Sequence, residues 1–256
     1  MRRPSPRPAA ATIRPGPARA MILAAGEGTR MRPLTETTPK ALIAVGGRTI
    51  VDRTVDRLVE AGVETIVLNL HHLGDQIEAH LGRRGDAEFV FSREPRLLDT
   101  GGGVANALEP LGAETFWVVN GDVLWLNGGE SALGRMVRAW DDTRMDALVL
   151  LHSTVEAYGY SGLGDFFVDP AGLVVRRPEN EVSPFLFTGI QILHERSFHG
   201  IDAEHFSLNL LYDRAIAEAR LYSVVHDGEW FHIGTPAGLA EAEEFLRVRF
   251  SGTRHR

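Results

Sequence analysis

Cysteine is absent from the 256-residue chain, which excludes disulfide bonds, thiolate metal sites and cysteine nucleophiles. No apolar run approaches the roughly 20 residues of a membrane-spanning helix, so no membrane partner is expected. Basic residues are fewer than acidic ones: the chain has 27 Lys and Arg residues and 34 Asp and Glu residues. The resulting formal net charge of -7 argues against nucleic acid as a general partner. The expected location is the cytoplasm.

The first nineteen residues lack acidic side chains and any apolar stretch of the kind found in a signal peptide. They are rich in Pro, Arg and Ala, which predicts a disordered tail over residues 1–19. An Arg-rich segment without acids is also typical of a transit peptide, and that alternative stays open. Residues 20–250 contain no internal repeat and no linker rich enough to split them. We therefore expect one domain, present as a monomer or a small homo-oligomer.

Strand-like and helix-like segments alternate along the domain, which predicts a single-domain α/β fold. The expected architecture is Rossmann-like: a mostly parallel, mixed sheet with helices on both faces and a small hairpin region. The expected strands cover residues 21–25, 65–70, 88–92, 115–120, 147–151 and 185–193, with a hairpin over residues 166–176. The expected helices begin at about residue 51 and end before Gly62, cover residues 75–81, run from residue 99 to Pro110, cover residues 131–140, and begin after the capping residue Ser207 and at residues 235–236.

The most informative stretch covers residues 20–47, where an apolar strand leads into glycines and three cations. Glycines allow backbone N–H groups to approach phosphate oxygens, and cations such as Arg30 and Lys40 neutralise them. A dinucleotide fingerprint would need a third glycine where Met31 stands. A P-loop would need Gly-Lys-Ser/Thr closing the run, and Gly28 is followed by Thr and Arg instead. Neither of the common glycine loops fits.

The same stretch resembles the N-terminal signature of the sugar-1-phosphate nucleotidyltransferases, a glycine-rich L-x-x-G-x-G-T-R segment followed by P-L-T and P-K-x-L. The matching residues are Leu23, Gly26, Gly28, Thr29, Arg30, Pro33, Leu34, Thr35, Pro39, Lys40 and Leu42. The resemblance implies that a nucleoside triphosphate binds at Ala25, Gly26, Gly28, Thr29, Arg30 and Lys40. It also implies that Arg30 holds the departing phosphates and that Lys40 steadies the α-phosphate, both as catalytic residues.

Asp122 is the third predicted catalytic residue, because it lies just beyond the carboxyl end of a buried strand. A carboxylate there suits Mg²⁺, which takes one or two carboxylates together with phosphate oxygens. The run Val-Asn-Gly-Asp at residues 119–122 resembles the metal-binding turn of the family, with Asn120 facing the sugar. The resemblance therefore implies Mg²⁺ as the cofactor, bound through Asp122.

A run of three glycines points to a narrower branch of the family. The segment at residues 99–103 resembles a loop of bacterial N-acetylmuramate-1-phosphate uridylyltransferases that lies against the base. The resemblance implies nucleotide contacts from Thr100, Gly101 and Gly102. It implies sugar-phosphate contacts from Asn120, Asp165, Arg177, Thr188 and Gly189. For Arg177, a solvated hairpin arginine is an equal alternative.

The function implied by this branch is nucleotidyl transfer from UTP to N-acetylmuramate 1-phosphate, releasing pyrophosphate, for cell-wall sugar recycling. A guanylyltransferase acting on mannose or heptose 1-phosphate is the enzymatic alternative, because the phosphate machinery is shared. A non-catalytic sugar-nucleotide sensor is the alternative from another class. The substrates are small molecules in every case.

His232 departs from the family pattern, which has an aspartate as the second metal ligand at this position. A neutral imidazole is a poorer partner for Mg²⁺ than a carboxylate. Three interpretations are open: Asp122 and the phosphates hold Mg²⁺ alone, His232 contributes with Mn²⁺ or through water, or catalysis has been lost. We favour the first and keep Asp122 and His232 as the candidate metal ligands.

Overall fold

Residues 16–250 are described by the computed structural model, and they form thirteen strands and seven α-helices. The strands are β1 (Arg19–Leu23), β2 (Ala44–Val45), β3 (Arg48–Thr49), β4 (Thr65–Leu70), β5 (Glu88–Arg93), β6 (Thr115–Asn120), β7 (Val123–Leu126), β8 (Ala147–Ser153), β9 (Phe166–Val168), β10 (Val174–Arg176), β11 (Phe185–His194), β12 (Leu221–Val225) and β13 (Glu229–His232). The helices are α1 (Ile50–Glu60), α2 (Gly74–Leu81), α3 (Asp99–Asn106), α4 (Leu108–Leu111), α5 (Ala132–Ala139), α6 (Asn209–Ala217) and α7 (Pro236–Phe250). Within this part of the chain, no helix has both the length and the apolar character needed to cross a membrane.

The main sheet has nine strands, seven of which lie in the order β5, β4, β1, β6, β11, β8, β12. Strands β5, β4, β1 and β6 pair in parallel. Strand β11 runs antiparallel to both β6 and β8, and β8 pairs in parallel with β12. The hairpin β9–β10 joins the start of β11. The prediction of a mostly parallel, mixed sheet with a small hairpin is confirmed.

Helices cover both faces of this sheet, as expected. On one face, the apolar side chains of α1, α2 and α5 share a core cluster with alternate strand residues of the main sheet, such as Ile22, Leu68 and Leu148. On the other face, those of α3, α4 and α6 share a cluster with the intervening residues, such as Met21, Val67 and Val149. The side chains of a strand point to opposite faces in turn, so a strand between two helix layers is apolar along its whole length. All six residues of β4 are buried accordingly.

A third layer carries the glycine-rich segment. The two-stranded sheet β7–β13 and helix α7 enclose a separate apolar cluster. Met31 and Ile43, from the segment between β1 and α1, are buried in this cluster beside Leu124 and Phe231. The segment is therefore a packed part of the fold, held between the main sheet and the third layer.

Several predicted boundaries need correction. Strand β1 ends at Leu23 rather than at residue 25, because the Ala24 N–H donates to the Asn69 side chain at 2.7 Å instead of to a neighbouring strand. Pro110 does not end α3, which stops at residue 106; it lies inside the short helix α4, near the N-terminal end where a proline is tolerated.

The predicted tail over residues 1–19 is only partly testable, because residues 1–15 lie outside the described residues. Its last members are structured: the Ala18 carbonyl accepts a hydrogen bond from the Glu64 N–H at 2.8 Å, and Arg19 begins β1. The predicted start of the last helix is confirmed, because α7 begins at Pro236. The predicted Ser207 cap needs correction: Leu208 occupies the N-cap position of α6, and the Ser207 hydroxyl, one residue earlier, accepts a hydrogen bond from the Asn209 N–H at 3.3 Å.

Candidate active site

A cavity of about 500 Å³ opens where β1, β4 and β6 end. These strands are parallel, so their carboxyl ends meet at one edge of the sheet, the position at which open α/β sheets bind ligands. The six residues predicted to bind the triphosphate through the glycine-rich segment all line this cavity: Ala25, Gly26, Gly28, Thr29, Arg30 and Lys40.

The glycine-rich loop is held in shape by its own motif residues. Gly28 has φ of +64°, a left-handed conformation that favours glycine. Its carbonyl accepts hydrogen bonds from the Thr35 hydroxyl and the Met31 N–H, both at 2.8 Å. A Cβ on Gly28 would lie 2.8 Å from the Thr35 methyl group, whereas the surroundings of Gly26 are open to 4 Å. The second glycine therefore shapes the loop, and the first leaves room beside the cavity.

Two cations of the loop differ in their partners. Arg30 is exposed at the cavity wall, and its guanidinium has no hydrogen bond or ion pair with any residue in the 16–250 range. Lys40, the only lysine of the chain, pairs through Nζ with the Asp122 Oδ2 at 2.6 Å. Their side chains are 15% and 22% exposed, so water reaches the pair only in part. The predicted catalytic cation and carboxylate thus meet in one cavity.

The turn that carries Asp122 depends on the preceding glycine. The Gly121 N–H donates to the Leu23 carbonyl at 2.9 Å, and a Cβ on Gly121 would lie 2.5 Å from that oxygen. The Asp122 carbonyl accepts a hydrogen bond from the Ile233 N–H at 3.0 Å. The aspartate is therefore fixed from two sides, by the end of β1 and by the chain leaving β13.

The opposite wall is organised by two buried polar residues, Asn69 and Glu94, which are each 4% exposed. The Asn69 Nδ2 donates to the Glu94 Oε1 at 2.8 Å, and the second carboxylate oxygen accepts from the Leu98 N–H. Asn69 also accepts from Ala24, as described above, so it ties the end of β1 to the loop after β5. His71 strengthens this link, because its Nδ1 lies 2.8 Å from the Glu94 carbonyl.

Comparisons with known proteins agree with this geometry. A match to the nucleotidyl transferase family spans residues 19–249. The chain belongs to the nucleotidyl transferase family. An N-acetylmuramate alpha-1-phosphate uridylyltransferase of Caulobacter vibrioides is 41% identical over 89% of this chain and 96% of its own length. A protein of the same name from Neisseria meningitidis serogroup B is 37% identical, over 88% of this chain and 96% of its own.

Solved structures show the same fold. HddC from Yersinia pseudotuberculosis, solved in complex with GMP-PN, superposes with a TM-score of 0.73. The match covers 90% of this chain and 99% of that protein at 22% sequence identity. The expected fold class and family are confirmed.

The side of the cavity at Asp122 offers few candidate metal ligands. His232 lies opposite Val123 in the β7–β13 pairing, which brings it beside Asp122, and its ring stacks on Trp230. Burial lowers the pKa of His232, and the nearby cations Lys40 and Arg30 lower it further against the opposing effect of Asp122. Its imidazole is therefore neutral at pH 7.

Nowhere in residues 16–250 do three His, Asp or Glu side chains come together as metal ligands. Asp122 is left as a hard carboxylate donor with one neutral imidazole nearby. This donor set fits a cation that takes a single protein carboxylate and completes its shell with phosphate oxygens and water.

Trp230 lies between His232 and a buried histidine pair. Its indole N–H donates to the Thr188 carbonyl at 3.0 Å, and its ring lies 6.4 Å from that of His152. His152 and His226 are 2% and 3% exposed, with ring centroids 5.6 Å apart. Burial lowers the pKa of His226, and the neighbouring His152 adds to this effect while Asp227 opposes it.

The His226 environment predicts acid-sensitive folding. The ordinary histidine pKa of about 6.5 is recovered on unfolding, so the unfolded chain takes up a proton that folded His226 does not. This contribution to stability is intact above about pH 6.5 and is lost as the pH falls toward the lowered pKa of the folded state. We expect His226→Gln to reduce the pH slope of the unfolding free energy, by up to about 1.4 kcal/mol per pH unit between pH 6.5 and 5. The exposed His199→Gln is the control in urea titrations, and equal slopes in wild type and His226→Gln would contradict the prediction.

The structure gives the glycine triplet a different role from the predicted one. The N–H groups of Gly101 and Gly102 donate to the Phe206 carbonyl at 2.9 and 3.0 Å, so they are engaged within the protein. The cavity wall is formed instead by Asp99 and Thr100. Of the three predicted nucleotide contacts in this loop, only Thr100 lines the cavity, and its hydroxyl accepts from the Leu208 N–H at 3.0 Å.

The predicted sugar-phosphate residues divide in a similar way. Asn120 lines the cavity, and Gly189 lies against its side chain, because a Cβ on Gly189 would be 2.8 Å from the Asn120 Nδ2. The Thr188 hydroxyl is buried and donates to the Leu150 carbonyl at 2.7 Å.

The side chains of Asp165 and Arg177 form hydrogen bonds with backbone groups and do not line the cavity. The Asp165 carboxylate accepts from the Phe187 N–H at 2.8 Å. The Arg177 guanidinium donates to the Gly164 carbonyl and, through Nη1, to three carbonyls of residues 178–181. Both side chains therefore organise the loops around the β9–β10 hairpin, and Arg177 is not the solvated alternative.

Four cavity residues lie outside every segment from which the site was predicted: Asn69, Glu94, Leu97 and His205. Two of them carried a usable signal. Asn69 is the only polar residue inside the apolar run 66–70, and Glu94 lies two residues beyond the expected third strand, which ends at residue 92. Leu97 and His205 carried none, because only the folded chain brings their loops to the cavity.

Proposed function

We propose that this nucleotidyl transferase moves a uridylyl group from UTP to N-acetylmuramate 1-phosphate and releases pyrophosphate. The observation that carries the proposal is the meeting of the glycine loop, Arg30, Lys40 and Asp122 in one cavity. The two uridylyltransferases compared above support the choice of base and sugar, because the identity extends over almost their full length.

In the proposed reaction, an oxygen of the sugar phosphate attacks the α-phosphorus of UTP. The bond from that phosphorus to the bridging oxygen of the β-phosphate breaks, and pyrophosphate leaves with the electron pair. Such a transfer needs positioning and charge stabilisation more than covalent help from the protein. Arg30, whose guanidinium has no partner among residues 16–250, would hold the departing phosphates. Lys40 would balance the negative charge that develops at the α-phosphate.

Mg²⁺ is the cofactor we propose for this site. When bound, it would neutralise phosphate charge and orient the reacting phosphates. Asp122 would be its protein carboxylate ligand, as its donor chemistry allows. Neutral His232 stands beside it and would act through water or favour a softer cation. Lys40 pairs with Asp122 in the structure. When substrate and cation bind, Lys40 would turn to a phosphate oxygen and Asp122 would turn to the cation.

The sugar would lie beside the turn at Asn120. Gly189 packs against the Asn120 side chain. Asn120 is the only predicted sugar-contacting residue whose side chain reaches the cavity and has no hydrogen-bond partner within residues 16–250. Asp165, Thr188 and Arg177 would act by holding the surrounding loops.

Gly26→Ala is expected to weaken the use of UTP without destabilising the fold. The surroundings of Gly26 are open, so a methyl group should change the unfolding temperature little. It would stand where phosphate oxygens approach the backbone, and we expect kcat/KM for UTP to fall by about 10- to 100-fold. Gly85→Ala is the matched control, because its surroundings are equally open and it lies away from the cavity. Unchanged kcat/KM in Gly26→Ala would place the phosphates elsewhere.

Pyrophosphate release tests the proposal. The purified full chain with UTP, Mg²⁺ and N-acetylmuramate 1-phosphate should release pyrophosphate at a rate that depends on all three. A sensor would bind UTP and release none with any sugar phosphate. Faster release with GTP and mannose 1-phosphate would favour the guanylyltransferase alternative.

A further inference from the structure

The glycine triplet docks a distant segment of the chain onto the cavity wall. The Phe206 carbonyl accepts hydrogen bonds from the N–H groups of Gly101 and Gly102, and the Leu208 N–H donates to the Thr100 hydroxyl. A segment more than a hundred residues away, 204–208, is therefore fixed to the start of α3 at both of these points.

Only glycine leaves room for this docking. A Cβ on Gly101 would overlap the Phe206 ring, and one on Gly102 would overlap the Glu204 carbonyl. On the outer side, Arg96 forms an ion pair with the Glu204 carboxylate. Glu204 and Phe206 are thus both anchored to residues 96–102, one on each side of His205.

His205 lies between these two anchors and lines the cavity together with Leu97 and Asp99. Its imidazole has no hydrogen-bond partner among the described residues, and Leu97 beside it is 38% exposed. The cavity cations, Arg30 and Lys40, come from the glycine loop, which is a different part of the wall. The wall at Leu97, Asp99 and His205 carries no cation to hold a phosphate. It combines an apolar surface with a flat ring that can stack or form hydrogen bonds.

Resting on the proposed function, we propose that His205 contacts the nucleoside part of the triphosphate and that the glycine triplet is the device that positions it. His205 would then contribute to the choice of base, through a residue in a segment remote from the glycine loop. The triplet would act on the nucleotide indirectly, because its own N–H groups are engaged by Phe206.

The test compares two ligands in isothermal titration calorimetry. UTP occupies both parts of the cavity, whereas pyrophosphate occupies only the phosphate part. His205→Ala should raise the Kd for UTP about 5- to 30-fold, the effect of losing one hydrogen bond or stacking contact, and leave the Kd for pyrophosphate unchanged. His199→Ala, at an exposed histidine outside the cavity, is the matched control and should change neither value. An unchanged Kd for UTP in His205→Ala, or equal losses for both ligands, would overturn the proposal.

A second variant tests the positioning role. Gly102→Ala should push residue 204 outward and weaken UTP binding, with the pyrophosphate Kd again unchanged. In the His205→Ala background it should add little further loss, because the residue it positions is already removed. Gly85→Ala controls for the added methyl group. Full additivity of the two losses would overturn the positioning role, and the His205→Ala result stands even if Gly102→Ala does not fold.

The outcome is separable from that of the proposed function. The titrations are run with whichever of the four nucleoside triphosphates the wild type binds most tightly, and they require no turnover. A chain that bound another triphosphate would contradict the uridylyl assignment while leaving the His205 comparison intact.

Discussion

Asp122→Asn is expected to lower kcat by about a thousandfold or more, the largest effect of any single change in this site. Asparagine keeps the shape of the side chain but removes the negative charge that would bind the cation and that now faces Lys40. The turn itself should survive, because it is held by backbone bonds to Leu23 and Ile233. Pyrophosphate release under saturating substrates measures the effect.

Two controls make this result specific. Asp142→Asn removes an exposed carboxylate outside the cavity and should leave kcat unchanged. Manganese binding, measured by electron paramagnetic resonance with UTP present, should weaken in Asp122→Asn and not in Asp142→Asn. Near-normal turnover in Asp122→Asn, with its manganese affinity intact, would show that the cation is held elsewhere.

Lys40→Met is expected to lower kcat by about 100- to 1000-fold, because the site would lose the cation that we propose balances charge at the α-phosphate. Lys40 is the only lysine in a chain that uses arginine for its other basic side chains. An ammonium group is a compact point charge on a flexible stem, whereas a guanidinium is a wide planar fork, so an arginine would present its charge to Asp122 and to a phosphate in a different geometry. Arg83→Met, at an exposed cation beyond α2, is the matched control and should retain full activity.

The same substitution should act in the opposite direction on cation binding. Lys40 competes with any divalent cation for Asp122, so removing its charge should tighten manganese binding in the absence of nucleotide by about tenfold. Slower turnover combined with tighter manganese binding is the result expected if Lys40 and a divalent cation compete for the Asp122 carboxylate. Weaker manganese binding in Lys40→Met would mean that the lysine supports the cation site instead of competing for it.

Much of the fold was predictable, because the strands of a sheet that is covered by helices on both faces appear in the sequence as continuous apolar runs. Strands β4 and β6 were predicted at their observed bounds, since every residue inside them is buried or nearly so. The residues predicted to bind the phosphates could be found in the sequence for another reason. They all lie in one short segment, residues 25–40, so a single stretch of chain brings them to the same cavity wall.

What was missed depends on contacts between distant segments. The pairing of β7 with β13 joins residues about a hundred positions apart, and neither four-residue strand is distinctive alone. Gly101 and Gly102 were predicted to face a ligand, because a sequence shows that a close approach is needed but not what approaches. In the folded chain it is residues 204–206 that approach. Arg177 was likewise predicted to contact the sugar phosphate, but its guanidinium donates to backbone carbonyls of the loop that follows it.

The most direct test of the account is a competition in one reaction mixture. The enzyme is given UTP and GTP together with N-acetylmuramate 1-phosphate and mannose 1-phosphate, all at equal concentration with Mg²⁺, and the products are identified by mass. We predict that UDP-N-acetylmuramate forms first and in large excess, with one pyrophosphate released for each molecule formed. A predominance of GDP-mannose, or nucleotide binding without any sugar nucleotide, would contradict the proposed function.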